Sequence, residues 1–461
     1  MTAQQSLTFA VDAMAEAVEA IHHGTAIYTA VPEIEALLDR LGWPDRGSSL
    51  LDPGAGNGGF LVAALDRIAL RTDDVDTACA AVHGYEFHPG AANAARRAVS
   101  EHLTGRGWNA CSARIASERI VEIKDFLLSP VPVGQWDVIA ANPPYWRYAN
   151  LPPEYRFEYD VKVEAHARAD LLYAYLQRAA DIVAPGGRIG LITADRWLLN
   201  AGSSELRERI GARYAVEDVR RLKSHSAFYR PKSRTRGTPA RVHPVALVLS
   251  PDGVGRTLGR DAFMIEDLPV VEGVPLSKVA TVRLAPWLGP DGIFVVRDRT
   301  GLPADRLIPC YEPEDCGRDE ELPEPTRWAI ATDRSEPEAS VLRHLDSRLE
   351  AMPPRGRQNL RWLPPEPFFG RLPLDVDAVL VPRISKGVRA IRLPAGSMPV
   401  NHNIVVVSGM PVERLRTILK DPRVQAQADA LALRLENGYR SYTTTLLRQL
   451  VVPNDLLETE S

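Results

Sequence analysis

Cysteine is scarce in this chain of 461 residues. Its four cysteines, Cys79, Cys111, Cys310 and Cys316, are too few and too scattered for a disulfide framework. Cys310 and Cys316 lie close together, but no Cys-x-x-Cys pair accompanies them, so the spacing typical of a zinc site is missing. We therefore expect reduced thiols, a cytoplasmic location and no bound metal.

Long hydrophobic runs are missing as well. No apolar stretch has the length of a membrane-spanning helix, and residues 1–8 lack the basic start and apolar core of a signal peptide. The net charge of −4 shows no overall positive excess, so binding to nucleic acid would have to depend on local clusters. With 45% apolar and 25% charged residues, the composition is that of a soluble globular protein of about two or three domains.

Two common nucleotide-binding patterns are absent from a glycine-rich turn near the N-terminus. The turn follows a predicted buried strand at residues 49–52, and its glycines are Gly54, Gly56, Gly58 and Gly59. They do not match Gly-x-Gly-x-x-Gly, and no Gly-Lys-Ser/Thr follows, which disfavours a dinucleotide or a triphosphate as ligand. A glycine-rich turn between strand and helix still lets the backbone approach a ligand closely.

What the chain does contain is a regular alternation of strand and helix patterns. The predicted strands cover residues 49–52, 80–85, 120–123, 136–141, 188–193, 216–222 and 245–249. Such alternation predicts an α/β fold with a Rossmann-like, doubly wound sheet whose core is parallel. Polar residues stand at the ends of the first four strands: Asp52, Glu86, Asp125 and Asn142.

These strand ends are candidate ligand contacts, because ligands of open α/β sheets bind at the carboxyl edge. Glu86 is well placed to accept both hydroxyls of a ribose. Asp125 can accept from an exocyclic amine, and Phe126 can pack on the face of a purine. Thr29 precedes a predicted helix at residues 34–41, and on local grounds it is a cap or turn residue.

The fourth strand ends in the tetrapeptide Asn142-Pro143-Pro144-Tyr145. Neither proline has an N–H to donate, so the strand stops and its tip is stiff. The residue before a proline is pushed out of the helical region, which keeps Asn142 extended. An amide and an aromatic ring are thus held together at the carboxyl edge of the sheet. By itself, the tetrapeptide is explained about as well by a proline-rich turn with a packed tyrosine.

Together, these motifs resemble those of the S-adenosylmethionine-dependent DNA adenine-N6 methyltransferases of the gamma class, which includes methyltransferases of type II restriction-modification systems. The family's catalytic motif, Asn-Pro-Pro-Tyr/Phe, is matched in full, and residues 170–173 resemble its Asp-Leu-Tyr-like motif. The resemblance covers residues 24–250. The fixed positions of the first motif, Asp-Pro-x-x-Gly-x-Gly-x-Phe, are matched by Asp52, Pro53, Gly56, Gly58 and Phe60.

The resemblance implies S-adenosylmethionine as the cofactor and assigns its contacts. Backbone near Asp52, Gly54 and Gly56 would lie along the methionine part, and Pro53 and Phe60 belong to the same motif. Glu86 would hold the ribose, and Asp125 and Phe126 would hold the adenine. The family's Thr-Pro pair near the start corresponds to Thr29, but here Pro32 is displaced from its place after the threonine.

The same resemblance implies how an adenine would be methylated. The lone pair of its amine is delocalised into the ring and has to be redirected toward the methyl group. The Asn142 side-chain oxygen and the Pro143 carbonyl would each accept one amine hydrogen, and Pro144 stiffens the loop. Tyr145 would stack on the adenine flipped out of the duplex, and Phe228 corresponds to a second supporting aromatic.

Positive charge is concentrated at residues 220–241, which hold eight basic residues and no acidic one. A charge run is usually a solvated loop, but this one surrounds Phe228, so we expect it to contact DNA phosphates. The expected contacts are Arg230, Lys232, Arg234 and Arg236.

The end of the predicted sheet suggests two domains. We expect a catalytic domain at residues 1–255 and a DNA target-recognition domain of mixed α+β structure at residues 256–461. The second part loosely resembles recognition domains of this enzyme class, with Arg383, Lys386 and Arg440 as expected DNA contacts. A bystander domain is the alternative.

Other functions remain open at this level. Asn-Pro-Pro-Tyr also occurs in enzymes that methylate a glutamine amide of proteins or guanine N2 of RNA, although these lack a long C-terminal domain. A non-catalytic DNA-binding subunit that kept the fold is a further alternative. The resemblance implies double-stranded DNA as the partner. The sequence shows no endonuclease segment, so we expect modification without cleavage and a possible separate restriction endonuclease.

Overall fold

The computed structural model describes residues 3–229, 243–251, 253–266, 268–315, 321–333, 335–367 and 375–457. The chain divides into two compact units, Met1–Ile265 and Glu266–Ser461. The predicted boundary lies at residue 255, but the segment that follows packs in the first unit. Phe263 and Ile265 are buried in the core of that unit.

The first unit is built on one eight-stranded sheet with helices on both faces. Its helices are α1 (Ala3–Thr25), α2 (Val31–Leu41), α3 (Gly59–Asp66), α4 (Val75–Ala81), α5 (Pro89–Gly105), α6 (Ala110–Ile120), α7 (Pro153–Lys162), α8 (Leu171–Ile182), α9 (Arg196–Leu199), α10 (Ser204–Gly211) and α11 (Ser224–Ala227). Its strands are β1 (Tyr28–Thr29), β2 (Leu50–Asp52), β3 (Val82–Glu86), β4 (Val121–Ile123), β5 (Trp136–Ala141), β6 (Val183–Ala194), β7 (Ala215–Arg221), β8 (Phe228–Tyr229), β9 (Pro244–Ser250) and β10 (Arg256–Thr257).

The strand order of the sheet is β10-β7-β9-β6-β5-β2-β3-β4. The five strands from β4 to β6 are parallel, which confirms the predicted doubly wound core. Strand β9 is antiparallel to both of its neighbours, β6 and β7. The chain moves outward from β2 through β3 to β4 and then returns to the other side of β2 as β5. This reversal makes the carboxyl ends of β2 and β5 the expected ligand site.

Successive residues of the central strands point to opposite faces of the sheet. Leu51 and Ile139, which pair across β2 and β5, belong to one core cluster, while their neighbours Leu50 and Val138 belong to the other. Both faces are covered, so these strands read as continuous apolar runs rather than as alternating ones.

Thr29 does not cap a helix, although its position before α2 suggested that role. The N-cap of α2 is Ala30, which makes no side-chain cap bond, and the helix starts with Pro32 in its first turn. Thr29 instead lies in β1, where it pairs with Phe228 of β8. A pairing over this sequence separation has no local signature.

The second unit combines short strands with helices, which confirms the predicted mixed α+β class. Its helices are α12 (Leu276–Val279), α13 (Ala339–Asp346), α14 (Val412–Lys420), α15 (Pro422–Leu431) and α16 (Thr444–Gln449). Its strands are β11 (Gly273–Pro275), β12 (Thr281–Leu284), β13 (Val295–Val296), β14 (Leu307–Tyr311), β15 (Trp328–Ile330), β16 (Ala378–Val381), β17 (Ile384–Ser385), β18 (Ile391–Leu393), β19 (Met398–Pro399), β20 (Ile404–Val407), β21 (Leu433–Arg434), β22 (Arg440–Ser441) and β23 (Val451–Pro453).

The strands of the second unit form small, mostly antiparallel sheets. The sheet orders are β12-β20-β16-β18, β13-β15-β14-β19, β17-β22-β21 and β11-β23. Within the described ranges, no helix is long and apolar enough to cross a membrane, and no three His, Cys, Asp or Glu side chains are grouped as metal ligands would be. Cys79, Cys111 and Cys310 are free thiols.

Candidate active site

A cleft lies at the carboxyl ends of β2, β3 and β5. Two sets of predicted residues line the cleft. Those predicted to bind the cofactor are Thr29, Asp52, Gly54, Gly56, Phe60 and Glu86, and those of the tetrapeptide are Asn142 and Pro144. The two motifs, which are far apart in sequence, therefore share one cavity.

The glycine-rich turn requires glycine for backbone reasons. Gly56 has φ +56°, and a Cβ placed there would lie 3.0 Å from the ring of Tyr28. Gly58 has φ +87°, and its Cβ would lie 3.1 Å from Cα of Ala95. Larger residues would be strained in this conformation and would fill the space beside the cleft.

The carboxylate of Glu86 is fixed by two backbone amides. Gly56 N donates to one of its oxygens over 2.8 Å and His88 N donates to the other over 2.9 Å. The side chain is buried, and burial raises the pKa of Glu86 to about 7. Each oxygen keeps a second lone pair, so the group can still accept from ligand hydroxyls.

Asp52 is a second carboxylate on the same cleft. One of its oxygens accepts from Gly54 N over 3.1 Å, and the residue is 1% exposed. Burial and the neighbouring Glu86 raise the pKa of Asp52 to about 8. Two partly protonated carboxyl groups in one cavity favour a ligand that brings positive charge and hydroxyl donors.

Thr29 contributes an unpaired hydroxyl to the cleft. The residue is 6% exposed, and its Oγ1 is buried with no hydrogen-bonding partner within the described part of the chain. Buried hydroxyls are normally paired, so this atom is suited to a ligand.

The carboxamide of Asn142 is held at both ends. Its Nδ2 donates to the carbonyl of Ile27 over 3.0 Å, and its Oδ1 accepts from the hydroxyl of Tyr145 over 2.6 Å. A carbonyl can pair only with the NH₂ group of the amide, so these contacts fix which way the amide points. The side-chain oxygen keeps one further lone pair.

Tyr145 makes hydrogen bonds that the sequence did not predict. Its hydroxyl points inward, where it lies 2.9 Å from the Ile192 carbonyl as well as close to Asn142, and its ring packs against the core. Burial raises the pKa of Tyr145 well above its ordinary value. Tyr145 is not among the residues that line the cleft, and Pro143 is buried. Stacking of Tyr145 on a base stays a prediction.

Asp125 and Phe126 are not among the residues that line the cleft, in contrast to their predicted contacts with adenine. The two Asp125 oxygens accept from Leu127 N over 2.7 Å and from the Tyr155 hydroxyl over 2.8 Å. The Phe126 ring is fully buried and packs against Tyr175 with centroids 5.0 Å apart. The ring belongs to the core cluster that also contains Tyr155 of α7 and Tyr175 of α8.

Tyr175 of α8 also lines the cleft, although the sequence did not predict it as a site residue. It stands two positions beyond the Asp-Leu-Leu-Tyr segment, on a helix whose residues are mostly buried. An apolar helix pattern does not show which ring reaches a cavity.

The end of α1 also lines the cleft. His22 faces the cavity and stacks on His88, with parallel rings 3.8 Å apart. His88 Nε2 lies 2.6 Å from a carboxylate oxygen of Glu19. The apolar spacing of α1 carries no sign of this contact, so it could not be predicted from the sequence.

Phe228 lies beside the cleft segment Ile27–Thr29 through the β1–β8 pairing. It is half-buried against both core clusters of the unit. The hydroxyl of its neighbour Tyr229 accepts from Asn57 Nδ2 over 2.6 Å. This bond joins β8 to the glycine-rich turn. The predicted phosphate contacts Arg230, Lys232, Arg234 and Arg236 lie outside the described residues.

Two further aspartates of the first unit hold backbone segments in place. Asp170 caps α8, and one of its oxygens accepts from Trp146 N and from Leu172 N, each over 3.1 Å. Asp195, which follows β6, accepts from Arg221 over 2.7 Å, and its N–H donates to the His243 carbonyl over 2.9 Å. The sequence did not predict this contact of Asp195, because an aspartate after a strand is most often a turn or surface residue.

The three basic residues predicted in the second unit differ in their surroundings. Arg383 and Lys386 are exposed. Arg440 is half-buried and donates to Asp429 over 2.6 Å. Its charge is therefore already paired, so a direct contact with DNA by Arg440 is not favoured.

The fold is a Rossmann-like doubly wound sheet, and the chain is similar to known methyltransferases. The model of the Eco57I restriction-modification methylase family matches residues 107–228, which include the tetrapeptide. Type II methyltransferase M.PaeR7I of Pseudomonas aeruginosa is 28% identical over an alignment of 281 residues, and the match covers 58% of this chain and 46% of that protein. Type II methyltransferase M.XhoI of Xanthomonas vasicola is 29% identical over an alignment of 243 residues, and the match covers 47% of this chain and 44% of that protein.

Among solved structures, the chain resembles the type IIL restriction-modification enzyme MmeI in complex with DNA. The TM-score is 0.59 with 15% identity, over 97% of this chain and 67% of that chain, which is a likeness in fold. The chain spans less than half the length of the two curated relatives it matches. The resemblance to type II restriction-modification methyltransferases is confirmed by these matches.

Proposed function

We propose that this protein transfers a methyl group from S-adenosylmethionine to N6 of an adenine flipped out of duplex DNA, at a specific site. The observation that carries the proposal is that Asn142 and Pro144 line the same cleft as Glu86 and the glycine-rich turn. One cavity therefore contains both an acceptor for an amine and groups that can bind a nucleoside. The similarity to type II methyltransferases supports DNA as the substrate.

The cleft residues fit S-adenosylmethionine. The Glu86 oxygens would accept from the ribose hydroxyls, and the Thr29 hydroxyl, which has no partner within the described residues, would bond to the ligand. Asp52 would attract its positive charge, while the backbone of Gly54 and Gly56 would lie along the methionine part. The bound cofactor supplies an electrophilic methyl group. The side chains of Asp125 and Phe126 are not expected to contact its adenine directly.

The tetrapeptide would hold the acceptor amine. The free lone pair of Asn142 Oδ1 and the Pro143 carbonyl would each accept one amine hydrogen, which directs the nitrogen lone pair toward the methyl group. Asn142 is already oriented by the Ile27 carbonyl, so little reorganisation is needed. No strong base is required, because the proton leaves after the nitrogen has become cationic.

Base flipping and DNA binding complete the proposal. Phe228 is held beside the cleft and would support the flipped base, together with the Tyr145 ring if it shifts on binding. The basic segment at residues 220–241 would contact phosphates, and the second unit would recognise the target sequence. A separate restriction endonuclease and a cytoplasmic location also belong to the proposal.

The test is incubation of duplex DNA with methyl-labelled S-adenosylmethionine, followed by digestion to nucleosides. Label in N6-methyladenine is the expected result, and methylation-aware sequencing then gives the target. Label in cytosine, in RNA or in protein alone would contradict the proposal and favour one of the alternative substrates.

Asn142→Ala provides the matched variant. It should reduce turnover by about 100-fold or more, as for removal of one transition-state hydrogen-bonding group, and leave cofactor binding in place. Turnover at the wild-type level would rule out the acceptor role.

A further inference from the structure

A histidine near the end of α1 faces the cleft and has no role in the methyl transfer described so far. His22 is half-buried and lines the cavity together with Glu86 and Phe87 at the end of β3. Thr25, the other polar side chain of α1 in this lining, donates its hydroxyl hydrogen to the Ile21 carbonyl over 2.9 Å. The imidazole of His22 is therefore the polar ring that α1 presents to a ligand.

The ring of His22 is held in place by His88. The two imidazoles are stacked with centroids 3.8 Å apart and with planes only 3° from parallel. His88 is the N-cap of α5, and its Nδ1 accepts from Ala91 N over 3.1 Å. A nitrogen that accepts carries no proton, so the hydrogen-bond pattern assigns the ring proton of His88 to Nε2, which donates to Glu19 over 2.6 Å. Both ring nitrogens of His88 are thus occupied, and its ring supports His22 rather than binding a ligand.

His88 also connects this stack to the carboxylate that is expected to bind the ribose. Its backbone N–H donates to one oxygen of Glu86 over 2.9 Å, while its side chain holds His22. Glu19, one turn before His22 on α1, ties the helix to the same ring. The Glu86 carboxylate and the His22 imidazole are therefore oriented by one residue, and both line the cleft.

We propose that His22 binds the nucleoside half of S-adenosylmethionine through a hydrogen bond between its imidazole and a ribose hydroxyl, and that His88 positions it. The ribose is favoured over the methionine part because His88 follows Glu86 at the end of β3, whereas the methionine part is expected along the glycine-rich turn after β2. The stack already orders the ring, so little side-chain entropy is lost on binding. The inference rests on the proposed function, which requires this cofactor, and adds a contact that lies outside both sequence motifs.

The experiment compares adenosine with 2′,3′-dideoxyadenosine, which lacks both ribose hydroxyls, by displacement of S-adenosylhomocysteine from the full chain in a calorimeter. His22→Phe keeps a ring that can stack on His88 but has no nitrogen to make a hydrogen bond. It should weaken adenosine binding by about fivefold, as for the loss of one hydrogen bond, and leave the Kd for 2′,3′-dideoxyadenosine unchanged. The unchanged Kd also shows that the variant is folded.

His23→Phe is the matched control. His23 is the exposed neighbour of His22 on α1 and does not line the cleft, so this variant should bind both nucleosides as the wild type does. In methylation assays with duplex DNA, His22→Phe should raise KM for S-adenosylmethionine and keep the wild-type kcat, because the contact is the same before and during methyl transfer.

His88→Asn tests the positioning role. Asparagine can still cap α5, and its backbone N–H can still bind Glu86, but it has no ring to stack on His22. It should weaken adenosine binding. Adding His88→Asn to His22→Phe should then have little further effect, because His88 acts through His22. Fully multiplicative effects would show that His88 does not act through His22.

Two outcomes separate this inference from the proposed function. If the wild type methylates DNA, but His22→Phe weakens both nucleosides equally or binds them as His23→Phe does, His22 does not bind the ribose and the proposed function stands. If the wild type binds neither S-adenosylmethionine nor adenosine, the proposed function fails and this inference fails with it.

Discussion

The hydroxyl of Tyr145 donates to Oδ1 of Asn142 over 2.6 Å. The tyrosine of the tetrapeptide therefore acts on the asparagine of the same tetrapeptide before any substrate is present. The amide is held from the other end by the Ile27 carbonyl, so its oxygen has a defined direction. The proposed acceptor is preorganised by two contacts that come from different parts of the chain.

Tyr145→Phe should lower kcat by about fivefold and leave the Kd for S-adenosylmethionine unchanged. The variant keeps the ring but loses a hydrogen bond worth about 1 kcal/mol, which is about a factor of five in rate. Steady-state kinetics with duplex DNA provide the measurement. Tyr148→Phe is the control, because the Tyr148 hydroxyl donates to Asp160 instead. Equal kcat for both variants would show that the Tyr145 hydroxyl has no positioning role.

Asn142→Asp should be almost as inactive as Asn142→Ala, although it preserves the size of the side chain. A carboxylate cannot donate to the Ile27 carbonyl, and its charge would be repelled by that oxygen. We expect a loss of about 100-fold or more in kcat, measured in single turnovers with saturating cofactor. Activity close to the wild type would mean that the orientation of the amide is unimportant.

Cofactor affinity should rise with pH through about 7, where burial places the pKa of Glu86. Only the ionised carboxylate can accept from both ribose hydroxyls, so binding below this pH should release a proton. Calorimetry in buffers with different ionisation enthalpies measures that proton. Glu86→Gln should bind more weakly and show a smaller release. An unchanged proton release would assign the titration to another group, such as Asp52.

The same pKa has a consequence for stability. Because the pKa of Glu86 is raised from 4.5 to about 7 in the folded protein, the folded state binds this proton more tightly than the unfolded state. Its contribution to stability is fully present below 4.5 and is lost as the pH rises through about 7. Urea unfolding of the ligand-free protein should show a smaller decline with pH for Glu86→Gln than for the wild type.

Gly56→Ala should destabilise the protein by about 1 to 2 kcal/mol and weaken cofactor binding. The residue has φ +56°, and the added Cβ would lie 3.0 Å from the Tyr28 ring in the wall of the cleft. Gly105→Ala is the control, because nothing lies within 4 Å of its Cβ position. Thermal unfolding with and without cofactor separates the two effects. A Gly56→Ala protein as stable as Gly105→Ala would contradict the assigned strain.

Asp195→Ala should destabilise the first unit by about 3 to 5 kcal/mol, because it leaves the Arg221 charge without this buried partner. Asp181→Ala removes a carboxylate from an exposed pair with Arg213 and should change stability by less than about 1 kcal/mol. Denaturant unfolding of the two variants tests the contrast. Similar losses in both would show that the burial of Asp195 does not matter for this pair.

The class of fold and the position of the cleft could be predicted from local patterns. The alternation of strands and helices requires parallel strands whose carboxyl ends share one edge, so Asp52, Glu86 and Asn142 had to approach one another. The two prolines restrict the backbone by themselves, and the glycines at positions 56 and 58 allow the left-handed conformation that the turn adopts. These features depend on covalent geometry and on periodicity, which the sequence contains in full.

The sequence by itself therefore determined the sheet, its binding edge and the two motifs at that edge. Only the tertiary structure decided which atoms meet there: the Tyr145 hydroxyl on Asn142, Thr29 beside Phe228, the buried ring of Phe126, and the pairing of Arg440 with Asp429. Each is a contact between segments or side chains whose local pattern fits several partners. The choice among those partners depends on how distant elements pack, and local propensity and periodicity do not encode it.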